Sequence, residues 1–114
     1  MADLTVYEKP TCTTCRNLAT LLTERGVDFE RVNYHVDPLP EEKIRELLRK
    51  SGMSARDAVR AREPEAAEIR PDESDDEIIA RMVRNPVLLQ RPWVEVGDRA
   101  VLARPVEKAL DVLP

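Results

Sequence analysis

Only two cysteines, one histidine and three glycines occur among the 114 residues, and each scarcity narrows what the molecule can be. A structural zinc site needs about four nitrogen or sulfur ligands, so Cys12, Cys15 and His35 fall short of one, and no metal is expected. The glycines, Gly26, Gly52 and Gly97, stand apart in the chain. No Gly-x-Gly-x-x-Gly run or P-loop can be built from them, which argues against a resident dinucleotide or nucleotide. Positive charge is also lacking in excess: 18 basic residues face 22 acidic ones, for a net charge of −4. No overall basic field draws in nucleic acid or anionic lipid, so neither is expected as a direct partner. Apolar runs long enough to span a bilayer are missing, and Met1-Ala2-Asp3 does not begin a basic region followed by an apolar one. The expectation is a cytoplasmic, reducing location and a single domain over residues 1–114, monomeric by default.

Among what is present, the cysteine pair carries the most chemistry. Cys12 and Cys15 stand in Cys-Thr-Thr-Cys-Arg, between an apolar stretch, Leu4-Thr5-Val6-Tyr7, and a segment with helical spacing, Asn17 to Leu22. A Cys-x-x-Cys joining a strand to a helix reads as a redox motif, because unpaired N–H groups and the positive end of the helix dipole favour the thiolate. A disulfide between residues so close closes too short a loop to add much stability, so a reactive role is the better reading. Fourteen of the basic residues are arginine and only four lysine. Guanidinium groups bind tetrahedral oxyanions through paired hydrogen bonds, although base composition and solvated surfaces explain most such a bias.

The remaining pattern alternates strand and helix. A first strand over Leu4 to Tyr7 leads to a helix from Cys12 to Arg25, stopped by Gly26, and to a second strand over Asp28 to Tyr34. Pro38-Leu39-Pro40 opens a helix from Glu41 to Lys50, with Ile44, Leu47 and Leu48 inward and Gly52 as its stop. Short helical turns are expected through Ser54 to Ala61. The acid- and proline-rich stretch from Arg62 to Asp76 reads as a solvated loop. A helix over Asp75 to Arg84 follows, then a hairpin of Trp93–Val96 and Arg99–Leu102 about Gly97-Asp98, and a closing helix from Pro105 to Val112. This order predicts a thioredoxin-like α/β fold: a mixed central sheet flanked by helices, with an inserted helical segment. His35 is expected on a surface loop and Trp93 in the core.

Four blocks of the chain resemble the arsenate reductases of the glutaredoxin-coupled type, the ArsC family, and their Spx-like relatives. These blocks are Tyr7 to Leu18, Gly52 to Arg60, Leu89 to Pro92, and Arg104-Pro105-Val106-Glu107. The resemblance implies that Cys12 is a nucleophile toward arsenate, and that Arg60, Arg91 and Arg104 surround the oxyanion and lower the thiol's pKa. Arg16 is a further candidate for substrate binding. Pro92 resembles the cis-proline that thioredoxin-like folds set opposite the reactive cysteine.

Two departures from the family stand out. Cys15 occupies a position where the glutaredoxin-coupled branch has serine. It can attack the Cys12 adduct, release arsenite and leave a Cys12–Cys15 disulfide for an external donor, thioredoxin or glutaredoxin with glutathione. Glu8-Lys9 replaces a frequent His-Asn; the carboxylate raises the neighbouring thiol's pKa and the ammonium lowers it. Two alternatives remain: a redox-sensing regulator resembling Spx that binds RNA polymerase, and a general thiol oxidoreductase on the same fold. Retention of Arg60, Arg91 and Arg104 together favours the oxyanion-handling enzyme.

Overall fold

The computed structural model describes residues 4–113. Four strands form one mixed sheet in the order β2-β1-β3-β4: β1 is Leu4–Glu8, β2 Glu30–Asn33, β3 Trp93–Val96 and β4 Arg99–Leu102. β1 runs parallel to β2 and antiparallel to β3, which turns back onto β4 through Gly97-Asp98. The helix α1, Thr13–Glu24, makes the crossover between the two parallel strands. This strand–helix–strand unit followed by an antiparallel hairpin is a thioredoxin-like arrangement, as the alternation of elements implies.

Strand alternation divides the core into two layers. Leu4 and Val6 of β1 and Val94 of β3 face one side, where they pack with Leu18 and Leu22 of α1 and with Ala109 and Val112. Tyr7 and Trp93 face the other side, among Ile44, Leu47 and Leu48 of α2 (Glu41–Ser51) and Ile78, Ile79 and Met82 of α3 (Asp75–Arg84). Glu8 shares the parity of Leu4 and Val6, which directs it to the α1 side. Both long insert helices carry strong end signals. α2 has acids in its first turn, bases in its last and Gly52 at a φ of 72°, the left-handed stop that glycine takes without strain. α3 opens with a capping box, Ser74 Oγ accepting from the Glu77 N–H at 3.2 Å.

Three expectations need correction. The closing segment is a 3₁₀ helix, Val106–Asp111, not an α-helix. Its apolar residues Val106, Ala109 and Val112 recur every three positions, and three residues per turn keeps them on one line. The stretch from Arg62 to Asp76 is more than a solvated loop. Pro64–Glu68 is a 3₁₀ turn, and Glu73 is buried, its carboxylate accepting from Arg81 Nε at 2.7 Å and Nη2 at 3.0 Å. Asp28 and Phe29 stay outside β2, because β1 offers parallel partners only from Thr5↔Glu30 to Glu8↔Asn33. Tyr34 leaves the strand to donate its hydroxyl to the Leu89 carbonyl at 2.6 Å. Among the described residues no helix is long and apolar enough to cross a membrane.

Candidate active site

Cys12 lies where β1 hands over to α1. It is the N-cap of α1, with extended backbone at φ −77° and ψ 128°, held by its N–H donating to the Lys9 carbonyl at 2.9 Å. Its sulfur makes no conventional cap hydrogen bond, yet it lies against the N–H groups of Thr14 and Cys15. Partial burial pushes the Cys12 thiol up. That effect is outweighed by the Cys15 N–H and thiol, the Arg91 guanidinium and the Thr14 N–H, which together bring its pKa down from 9.0 to about 7. Cys15, one turn on, is fully buried. Burial drives its thiol up to about 12; the Lys9 N–H opposes this, while the neighbouring Cys12 sulfur and the Glu8 carboxylate reinforce it. Both are free thiols in this structure. The pair is therefore asymmetric: an accessible sulfur ready to ionise in front of a buried one that holds its proton.

A cavity of about 260 Å³ opens at Cys12. Its walls are Lys9, Thr11, Thr13 and Thr14 from the β1–α1 corner and four arginines, Arg60, Arg62, Arg91 and Arg104. Five cations and no carboxylate line it, an arrangement built for an anion. Two of the arginines, Arg60 and Arg91, flank opposite ends of a short backbone pairing. The Arg60 N–H donates to the Leu88 carbonyl at 2.6 Å and the Gln90 N–H to the Ala58 carbonyl at 2.9 Å, forming an antiparallel bridge of Val59 with Leu89. Arg104 comes from the end of the hairpin, and its Nη1 donates to the Arg91 carbonyl at 3.0 Å. The Arg91–Pro92 peptide is cis, as the resemblance implies, and so is Arg104–Pro105.

Arg91 is the unusual member. It is only 5% exposed, and its Nε and Nη1 have no hydrogen-bond partner among the described residues. A buried guanidinium with idle donors is costly unless an anion meets it. Arg60 Nε stands 3.3 Å from Glu63 Oε1, but the angle leaves it without a hydrogen bond. His35 is half-buried beside Tyr34, ring centres 4.7 Å apart, and not on an open loop. Burial first, then Arg91 and Lys9, hold its pKa below the ordinary value, so the imidazole is neutral at pH 7.

The structure thus gathers Cys12, Arg60, Arg91 and Arg104 around one cavity, with Cys15 behind and Pro92 beside Arg91. It does not bring in Arg16, which is exposed on the outer face of α1 and absent from the cavity walls. Sequence reasoning missed Lys9, Thr11, Thr13, Thr14 and Arg62 as wall residues. The threonines between the cysteines were within reach of it, since a helix N-terminus presents that backbone to any anion held by the N-cap. Arg62 was hidden in a stretch read as solvated. Among the described residues no group of three or more His, Cys, Asp or Glu side chains stands together as a metal site.

Cys12 chemistry gives a direct check. Its alkylation by iodoacetamide should rise through a midpoint near pH 7, slow below it where the thiol is protonated and level above it. In Cys15→Ser the midpoint should move, because the serine hydroxyl and a buried thiol differ as donors to the Cys12 thiolate. A midpoint near 9 in the unaltered protein would refute the activated thiolate.

Relatives bear on the same residues. The model of the ArsC family matches residues 7–112. The chain is 31% identical over 114 residues to an arsenate reductase of Rhizobium meliloti, covering 97% of this chain and 81% of that protein. It is 35% identical over 112 residues to the uncharacterized protein YfgD of Escherichia coli K12, covering 95% and 94%. The solved structure of an arsenate reductase from Vibrio cholerae superimposes with a TM-score of 0.91 at 27% identity, over 96% of this chain and 97% of that one. The cysteine-bearing corner, the cationic cavity and the sheet apart from the start of β1 lie within the matched span, and the chain belongs to the ArsC family.

Proposed function

We propose that this protein is an arsenate reductase in which Cys12 is the nucleophile, Arg60, Arg91 and Arg104 hold the oxyanion, and Cys15 is the resolving thiol. The observation that carries the reading is the buried Arg91 guanidinium, with two unpartnered nitrogens, beside a Cys12 thiol whose pKa is about 7. A tetrahedral oxyanion accepts the idle donors and places its central atom in front of the sulfur. Lys9 and Arg62 add charge at the rim, and the N–H groups at the start of α1 supply further donors.

The reaction divides into two steps. Cys12 thiolate attacks the arsenic(V) of arsenate, a sulfur–arsenic bond forms, and a protonated arsenate oxygen leaves as water. Cys15 sulfur then attacks Cys12 Sγ. A sulfur–sulfur bond forms, the sulfur–arsenic bond breaks with its electron pair passing to arsenic, and arsenite departs. Two thiols have been oxidised to a disulfide and arsenic(V) reduced to arsenic(III). An external thiol donor, thioredoxin or glutaredoxin with glutathione, restores the dithiol by exchange at the accessible Cys12. Phosphate fits the same charge pattern but is not reduced by thiols, so the redox step discriminates where binding need not. No resident cofactor enters these steps, and the chain works as one cytoplasmic domain, taken as a monomer.

The test is arsenate-dependent NADPH consumption, coupled in parallel to thioredoxin with its reductase and to glutathione with glutaredoxin and its reductase. Turnover is expected with at least one donor. Cys15→Ser should lose the thioredoxin-coupled route while leaving any glutathione route in place, because glutathione then attacks the adduct from outside. Silence with both donors would overturn the reading. A reducible Cys12–Cys15 disulfide in that silent protein would favour the Spx-like regulator.

A further inference from the structure

Cys15 presents a difficulty that the cavity does not solve. A thiol with a pKa of about 12 is ionised to about one part in 10⁵ at pH 7, and its sulfur is sealed from solvent. Hydroxide therefore has no direct access to its proton, yet thiolate is the form that attacks sulfur. The proton needs an acceptor inside the protein.

Glu8 is the group in place. It ends β1 on the side of the sheet covered by α1, whose buried stripe begins at Cys15. It is only 1% exposed. One carboxylate oxygen, Oε2, accepts from Arg31 of β2, from Nε at 2.9 Å and Nη2 at 2.7 Å. The other, Oε1, is buried with no hydrogen-bond partner among the described residues. The N–H of Lys9, the very next residue, is directed at the Cys15 sulfur. A buried carboxylate with one oxygen anchored and one idle is unusual enough to call for a use. We infer that Glu8 is the proton acceptor for Cys15: its idle Oε1 takes the thiol proton as Cys15 attacks Cys12, and returns it when the disulfide is reduced.

The groups surrounding this pair set its direction. Arg31 from β2 stabilises the Glu8 carboxylate, and its own side chain is about half exposed, leaving the anchored end of Glu8 near water. Cys12 and the phenol of Tyr34 are the other ionisable neighbours of Cys15, and Arg91 lies against both. Lys9 stands at the cavity rim. Of these, Arg31, Arg91 and Lys9 are cations with no basic lone pair at neutral pH. Tyr34 is held protonated by its burial. Cys12 is the atom being attacked. Glu8 alone offers an anionic acceptor.

The inference rests on the proposed resolving role of Cys15, and it can be tested apart from arsenate. An aromatic disulfide such as dithiobis(nitrobenzoate) reacts with the Cys12 thiolate to release one coloured thiolate and leave a mixed disulfide. Cys15 then attacks Cys12 Sγ, the Cys12–Cys15 bond forms, a second coloured thiolate leaves with the electron pair, and the Cys15 proton goes to Glu8. Stopped-flow absorbance resolves the two releases.

In Glu8→Gln the first release should keep its rate. The second should slow about tenfold or more at pH 7 and climb about tenfold per pH unit, because attack then waits on the small fraction of Cys15 already ionised. Arg31→Gln removes the ion pair but keeps the carboxylate, so its second release should stay rapid; this separates proton transfer from simple structural support. Equal second-release rates and pH profiles in Glu8→Gln and the unaltered protein would overturn the role of Glu8. So would an equal defect in Arg31→Gln. No second release from the unaltered protein would overturn the resolving role of Cys15, and the Glu8 inference with it.

Discussion

Serine in place of Cys12 eliminates arsenate-dependent turnover, with an expected loss of about 10⁴-fold or more in kcat. The substitution exchanges a single atom, sulfur for oxygen, and two functions go with it. A thiol brought to about pH 7 is half ionised in neutral solution, whereas an alkyl hydroxyl under the same N–H groups stays protonated and is a far weaker nucleophile. The oxygen analogue also cannot complete the redox step, because no disulfide forms and no electron pair is released to arsenic. Cys12→Ser should still bind the oxyanion, since the arginines are untouched, and equilibrium binding of arsenate or phosphate by calorimetry separates loss of chemistry from loss of the site. Turnover at the unaltered rate would remove the nucleophile from the mechanism.

Arg91→Met carries the second large effect. The side chain is replaced by one of similar length without charge or donors, so what is lost is the anchor and not the packing. Removing a charged donor aimed at developing negative charge typically costs about 10²–10³ in rate, and a comparable fall in kcat/KM is expected. The Cys12 midpoint should move upward, because Arg91 is among the groups that hold it down. Stability should move the other way or not at all: a buried guanidinium with unpartnered nitrogens is a burden on the empty protein. An unchanged or higher urea midpoint together with the kinetic loss identifies a group strained for function. Activity within about threefold of the unaltered enzyme would refute the anchor.

How much of this was legible before folding differs by element. The strand over Leu4 to Tyr7, the helix following Cys12 and the hairpin about Gly97-Asp98 were readable because each rests on local period and turn chemistry. Glu41 to Lys50 was readable for the same reason, with acid at one end, base at the other and Gly52 as a stop. The 3₁₀ form of the last segment was not, since spacings of three and of three-and-four coincide over six residues. Arg60, Arg91 and Arg104 were found through their neighbours in the chain. Arg62 was missed, and Arg16 was taken as a candidate although its helix face points outward. Glu8 was the least legible. Its carboxylate was set beside the cysteines from the sequence, but its burial was not, because that depends on Arg31, which β2 carries alongside through a pairing that no local pattern reveals.

The short bridge of Val59 with Leu89 has a consequence for how the cavity tolerates change. Because Arg60 and Gln90, the neighbour of Arg91, are fixed by main-chain bonds on either side of that bridge, the stretch between them is a closed excursion whose ends are pinned together. The entropy of closing such an excursion grows only with the logarithm of its length, about 0.6 kcal/mol for each doubling. The excursion is nevertheless held along its length: Arg56 Nη2 donates to the carbonyls of Arg70, Pro71 and Glu73. Residues added at the exposed outer turn, around Pro71 and Asp72, break these bonds and cost more than their number alone. The anion site and the outer contour of the molecule are thereby tied: the turn that shows on the outside hangs from Arg56, four residues before Arg60 on the same segment.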